Sequence, residues 1–236
     1  MIPIKDNIPT DRLPFVTIGL ILSNVIVYLL AVAHGGSLIS GPDAQEIVKY
    51  GATPTELGCG PGVSGLPPWQ TVLTSMFMHA SILHLAGNMV FLWIFGNNIE
   101  DSMGPFRFLG FYLLGGIAAL GLQVAINPDS VAPTVGASGA IAAVLGGYIV
   151  LYPRARVLTL VLIIFFFGVI ELPALAVLGA WFILQAVFGA AGLTDPTNAG
   201  GVAYFAHIGG FIFGVLTIRL VATRRKRTPP TAAAYR

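Results

Sequence analysis

The sequence predicts an all-α membrane protein built as a bundle of six spanning helices. Of its 236 residues, 56% are hydrophobic and 9% charged, against about 25% charged in an ordinary soluble domain. So few charges cannot cover a water-facing surface. Six stretches, about 14–33, 71–95, 105–126, 134–152, 173–190 and 203–222, come near the roughly 20 apolar residues that a bilayer crossing needs. Basic residues resist translocation, and 11 of the 12 Lys and Arg fall on one side of this topology, leaving Lys49 on the other.

Residues 1–13, with Lys5 and Arg12, read as a cytoplasmic segment. Span one ends in Ala31-Val32-Ala33, which has the look of a signal cleavage site. Its apolar core of about 20 residues exceeds the 7–15 of a secretory segment, so it is expected to stay as a helix. The external loop 34–70 is long and carries Leu38, Ile39, Leu57 and Leu66, a length that usually means function or disorder. Its single cysteine, Cys59, sits between Gly58 and Gly60-Pro61-Gly62 and reads as a loop thiol. One cysteine excludes an internal disulfide and a multi-cysteine metal site. Trp69 fits an interfacial anchor.

Arg107 marks the turn between spans two and three, Arg154 and Arg156 follow span four, and Arg219, Arg224, Arg225, Lys226 and Arg227 close span six. Between spans four and five, residues 157–172 are apolar but only about 16 long before Pro173, so an additional re-entrant or interfacial segment on the cytoplasmic side is expected. A full crossing there would put Ser138 and His207 on opposite faces. Glu171 would anchor that segment at the interface. Residues 14–222 thus form one membrane domain, and 223–236 a basic, disordered cytoplasmic tail able to touch anionic headgroups.

Ionisable residues inside a membrane are costly and mark function by default. His79 and His84 fall in span two and His207 in span six, while His34 reads as a loop residue. Ser138, in Gly136-Ala137-Ser138-Gly139, lies near the outer end of span four. Alone it would be a small packing residue. With His207 at matched depth it becomes a candidate nucleophile, because an alcohol needs an adjacent base and imidazole exchanges protons near neutrality. The stripe Ala206-His207-x2-Gly210-x3-Gly214 allows close packing on Gly139, Ala143 and Gly146. His84 and Asn88, four apart, share one helical face and could donate to an oxyanion beside the Ser138 amide. Asp129 and Asp195 read as outer-loop residues and Glu100, Asp101 and Glu171 as inner ones, so a Ser-His dyad is expected, its base oriented by packing and an aromatic or amide neighbour.

These motifs resemble the rhomboid family of intramembrane serine proteases: His79-x4-His84-x3-Asn88, Gly96-x3-Glu100-x3-Gly104, Gly136-Ala137-Ser138-Gly139 and Ala206-His207-x2-Gly210-x3-Gly214, in that order, across about 13–221. The resemblance implies a six-helix rhomboid bundle of prokaryotic type, with Ser138 as nucleophile and His207 as general base. His84, Asn88 and Ser138 would form the oxyanion hole, with His79, Gly136, Gly139 and Gly210 in support. Glu100 would tie span two to its inner loop, and 191–204 would cap a cavity opening outward. Substrates would be single-pass transmembrane proteins, within membrane lipids. No cofactor, metal or nucleic-acid partner is expected, and the oligomeric state is left open. Both termini would be cytoplasmic in a plasma or inner membrane. Trp69 is followed by Gln70 where many members carry Arg, and 157–172 lengthens the Ser-to-His separation. The alternative from another class is an inactive relative that binds membrane clients; a small transporter lacks support because no internal repeat is visible.

Overall fold

The computed structural model describes residues 2–58, 60, 62–163, 166–194 and 202–224. Cys59, Asp195, residues 195–201 of the expected cap and the basic tail from 225 lie outside the described residues. Strand β1 (Ile2–Asp6) precedes α1 (Phe15–His34). The strand pair β2 (Gly36–Ser37) and β3 (Gly41–Pro42) and three short helices, α2 (Ala44–Tyr50), α3 (Pro54–Leu57) and α4 (Pro68–Thr74), lead to α5 (Ile82–Phe91). That helix runs through a π-helical turn, Leu92–Gly96, into α6 (Asn97–Met103). Then come α7 (Pro105–Ile126), α8 (Ser138–Leu151), strands β4 (Arg156–Ile163) and β5 (Phe166–Pro173), α9 (Ala174–Thr194) and α10 (Tyr204–Val221). Among the described residues five helices are long and apolar enough to cross a membrane: Phe15–His34, Ile82–Met103, Pro105–Ile126, Ala174–Leu193 and Tyr204–Val221. The helix α8 is apolar but has 14 residues.

That short helix is the hub. Every residue from Gly139 to Tyr148 is buried. In lipid there is no hydrophobic drive between helices, so close approach depends on small residues. A Cβ built on Gly210 would lie 2.0 Å from the Gly139 carbonyl oxygen, one on Gly214 2.0 Å from that of Ala143, and one on Gly146 2.1 Å from that of Phe211. Here α8 and α10 run parallel with backbones in contact, so Ser138 and the first turn of α10 share one end of the bundle. On the other side, α7 is antiparallel, with Gly139 against Ala119 and Gly115 against Ala143.

The structure changes three features expected from sequence. Within the apolar segment 157–172, the described residues form two paired β-strands, so the fold is not all-α. β4 pairs antiparallel with β5 from Arg156↔Pro173 to Ile163↔Phe166, and β1 adds a third strand in the order β1-β4-β5. Pairing satisfies backbone groups that an apolar run too short for a spanning helix would leave exposed. The buried residues Val157, Thr159 and Val161 alternate along β4, the two-residue period of a strand. The hairpin ends where it began, with Ala174 N–H donating to Ala155 O at 2.8 Å, so α9 starts from the end of the bundle where α8 stops.

Span two starts at Ile82 rather than 71 and continues to Met103, because Ser81 caps it: the Ser81 Oγ accepts from His84 N–H at 3.2 Å. Finally, α8 starts at Ser138 rather than 134, since Gly136 has φ +124°, a left-handed value outside the helical range.

Two carboxylates fasten the end opposite Ser138. Glu100 Oε1 accepts from Val16 N–H, and its Oε2 from Thr17 N–H and Oγ1, at 2.8–3.0 Å. It therefore caps the start of α1 rather than tying span two to its own inner loop, answering free amides and a positive helix end. Asp6 Oδ2 accepts from Asn98 Nδ2 at 2.6 Å and from the Tyr148 hydroxyl at 2.5 Å, joining β1 to α6 and α8. Burial pushes the Asp6 carboxyl up to about 7, against the opposing bond from Tyr148. Glu171 lies on β5 opposite Leu158, at this same end.

Candidate active site

The connection from α1 to α5 is ordered over its described residues and docks on the loop that leads into α8. Ala52 and Thr134 exchange both backbone bonds, at 3.0 and 2.8 Å. Thr55 donates its N–H and Oγ1 to Ser130 O, and Gly136 N–H donates to Ser75 O at 2.8 Å. These contacts fix the approach to Ser138 from outside the helix. Trp69 is two-thirds exposed on α4, at 66%.

Gly136 then turns the chain. A Cβ there would meet the His84 ring at 2.8 Å and Ser138 Oγ at 3.4 Å, so the imidazole lies directly against bare backbone. Only glycine provides both this φ and this clearance. Ser138 follows as the first residue of α8, where helix amides have no partner within the helix.

The base comes from α10. His207 Nε2 lies 2.8 Å from Ser138 Oγ, two residues 69 positions apart in the chain. The start of α10 is held by Gln123 of α7, whose Oε1 accepts from Ala206 N–H at 3.2 Å. Here α9 closes the far side of the ring: His207 Nδ1 lies 2.8 Å from Gln185 Oε1, and the Trp181 ring stands 5.7 Å away at 37°. No carboxylate bonds to His207 among the described residues.

The predicted donors lie on the neighbouring helix. His84 borders Gly136 as described, and Asn88, one turn along α5, is buried with its Nδ2 unpartnered among the described residues. His79 is fully buried in the turn before α5, its Nδ1 3.2 Å from Phe77 O and its ring edge-on to His84 at 5.0 Å. It touches His84 and not the serine-histidine contact. Gly139 and Gly210 meet backbone to backbone beneath that contact.

Sequence reasoning did not single out Gln185, Trp181 or Gln123. A usable signal was present: Gln185 is the one amide in the apolar run 173–190, and Gln123 sits near the end of another. A polar side chain in such a run has to find a partner.

The chemistry available is nucleophilic: a hydroxyl against an imidazole nitrogen, flanked by a helix N-terminus and a buried amide donor. Comparison with known proteins agrees in class. Residues 67–224, more than half of the chain, match the Rhomboid domain. The chain is 34% identical over 152 residues to "Rhomboid protein 1, mitochondrial" of Saccharomyces cerevisiae, covering 62% of this chain and 40% of that protein. It is 31% identical over 151 residues to "Presenilin-associated rhomboid-like protein A, mitochondrial" of Danio rerio, covering 61% and 35%. A bacterial relative, "Rhomboid protease GluP" of Bacillus subtilis, is 32% identical over 133 residues, covering 56% and 24%. The matches thus span less than half the length of each of these relatives.

Proposed function

Because this chain belongs to the rhomboid family, a family of multi-pass membrane proteins, we propose that it is an intramembrane serine endopeptidase working through a Ser138–His207 dyad. Its substrates would be single-pass membrane proteins, cut in or near their transmembrane segments. The observation that carries the reading is the 2.8 Å contact between Ser138 Oγ and His207 Nε2. In this mechanism His207 Nε2 takes the hydroxyl proton as Oγ attacks the scissile carbonyl carbon. The displaced π electrons become an oxyanion, held by the Ser138 amide, His84 and Asn88. Collapse breaks the C–N bond, with His207 returning its proton to the leaving amine. Water then repeats the sequence on the acyl-enzyme.

We read α8 as a sixth, central span. At 1.5 Å per residue its 14 residues measure about 21 Å, less than the ~30 Å hydrocarbon core, so a recessed Ser138 follows. The basic residues near the opposite end support a cytoplasmic location for β1 and for the end of α10, with the site opening to the outer face. Relatives come from mitochondria and from a bacterium, and the prokaryotic plasma membrane remains the proposal drawn from the sequence.

The test compares the purified protein with Ser138→Ala and His207→Ala, using a fluorophosphonate probe and a tagged single-pass substrate. Labelling and cleavage by the parent, both lost in each variant, support the dyad. A folded parent that does neither transfers the reading to a client-binding relative.

A further inference from the structure

His207 can act as a base only in one of its two neutral forms. Nε2 faces Ser138 Oγ and has to carry the lone pair, so the ring proton belongs on Nδ1. Nothing about Ser138 enforces this, because a hydroxyl can donate or accept with equal ease. The choice has to come from the other side of the ring.

Gln185 Oε1 stands there, 2.8 Å from Nδ1. An amide oxygen only accepts, so Nδ1–H is required on that side and Nε2 is left unprotonated toward the serine. Gln185 is supplied by α9, four residues after Trp181, so both side chains leave the same face of that helix. Trp181 contacts His207 and Phe211 of α10, and Phe182 stacks on Phe211 at 4.4 Å, fixing α9 against α10 at the level of the base. Phe188 against Tyr204 extends the seam at 5.8 Å. The acceptor is therefore held by packing on both sides of it in the chain.

Resting on the dyad reading, we infer that Gln185 is the positioning residue of the catalytic base: its Oε1 takes the His207 Nδ1 proton, fixing the tautomer and ring orientation that direct a free Nε2 at Ser138. Trp181 limits rotation of the same ring from the same helix face. The functional unit then spans three helices, α8, α9 and α10, rather than the two that carry the dyad.

The experiment uses the full chain in detergent with a fluorophosphonate probe, which is small and reads the nucleophile directly. Four proteins are compared: parent, Ser138→Ala, Gln185→Leu and Gln185→Glu. Leucine fills the space without an acceptor, and glutamate restores an acceptor oxygen at the same reach. Q185L is expected to label about 10- to 100-fold more slowly, the scale of one lost buried hydrogen bond. Q185E is expected to recover to within about threefold of the parent. On a tagged single-pass substrate, Q185L should lower kcat with KM held within about twofold, as for an interaction used in the chemical step.

Q185L labelling as fast as the parent, or Q185E no faster than Q185L, overturns the inference while leaving the dyad in place. A parent that does not label, or S138A that still does, overturns the dyad reading itself. If Q185L unfolds more than about 5 °C below the parent, Gln185→Met takes its place under the same criteria, since its thioether is only a weak acceptor.

Discussion

Asp6 is an ionisable side chain in a place where charge is expensive, and it illustrates what single residues contribute here. Its carboxyl is raised to about 7 by burial, from 3.8 when free. The folded protein therefore holds the proton more tightly than the unfolded chain. The associated stability is fully present below about pH 4 and is lost as pH rises toward 7, at most about 4 kcal/mol for a shift of this size. Asp6→Asn keeps an acceptor for Tyr148 and Asn98 without the charge. Its unfolding midpoint in detergent should be nearly flat between pH 5 and 8, whereas the parent's falls; equal slopes would show that another group carries the titration. Nothing around Ile2–Asp6 in the sequence marks this residue as buried, since an acidic side chain ahead of a first span ordinarily faces water. The pairing of Ser138 with His207 was legible for the opposite reason. Each is polar in an apolar run where polarity needs a purpose.

At the level of elements, lipid removes the cue that makes helix faces readable in soluble proteins. Helix α1 is apolar all round, and its buried face is marked by Thr17, Asn24 and Tyr28 while Leu22, Ile26, Leu29 and Leu30 are exposed. Polarity and small size, not hydrophobicity, identify the interior. The Gly210–Gly214 stripe could be read in this way. The β-hairpin could not, because strands apolar on both faces show no alternation. The stripe gives a paired prediction. Gly210→Val drives a side chain into the Gly139 carbonyl and separates α10 from α8. Fluorophosphonate labelling should fall by about 100-fold or more, as expected for a nucleophile and base moved apart by an ångström. Gly179→Ala on α9, with nothing within 4 Å of the added carbon, should leave the unfolding midpoint within about 2 °C.

Across the whole molecule, the proposed chemistry and the fastening occupy opposite ends. Ser138, His207, His84 and Asn88 gather at one; Glu100, Asp6 and the three-stranded sheet hold the other. Order and spacing of polar residues in the spans made the first end readable, whereas the second depends on contacts between segments whose sequences carry no mark of each other. Replacing residues 2–6 by Gly and Ser should lower the unfolding midpoint by about 5–10 °C. Labelling of the folded fraction should stay within about threefold of the parent; a larger loss would show that the sheet reaches the site. The same sheet also sets a timetable. Asp6 meets Tyr148, made 142 residues later, an interval of roughly 7 to 30 s of synthesis. Throughout that interval β1 has no strand to pair with, while α1, α5 and α7 can already be in the bilayer. Its closure on β4 is then a late event in the birth of the molecule, a latch shut only after the central helix has arrived.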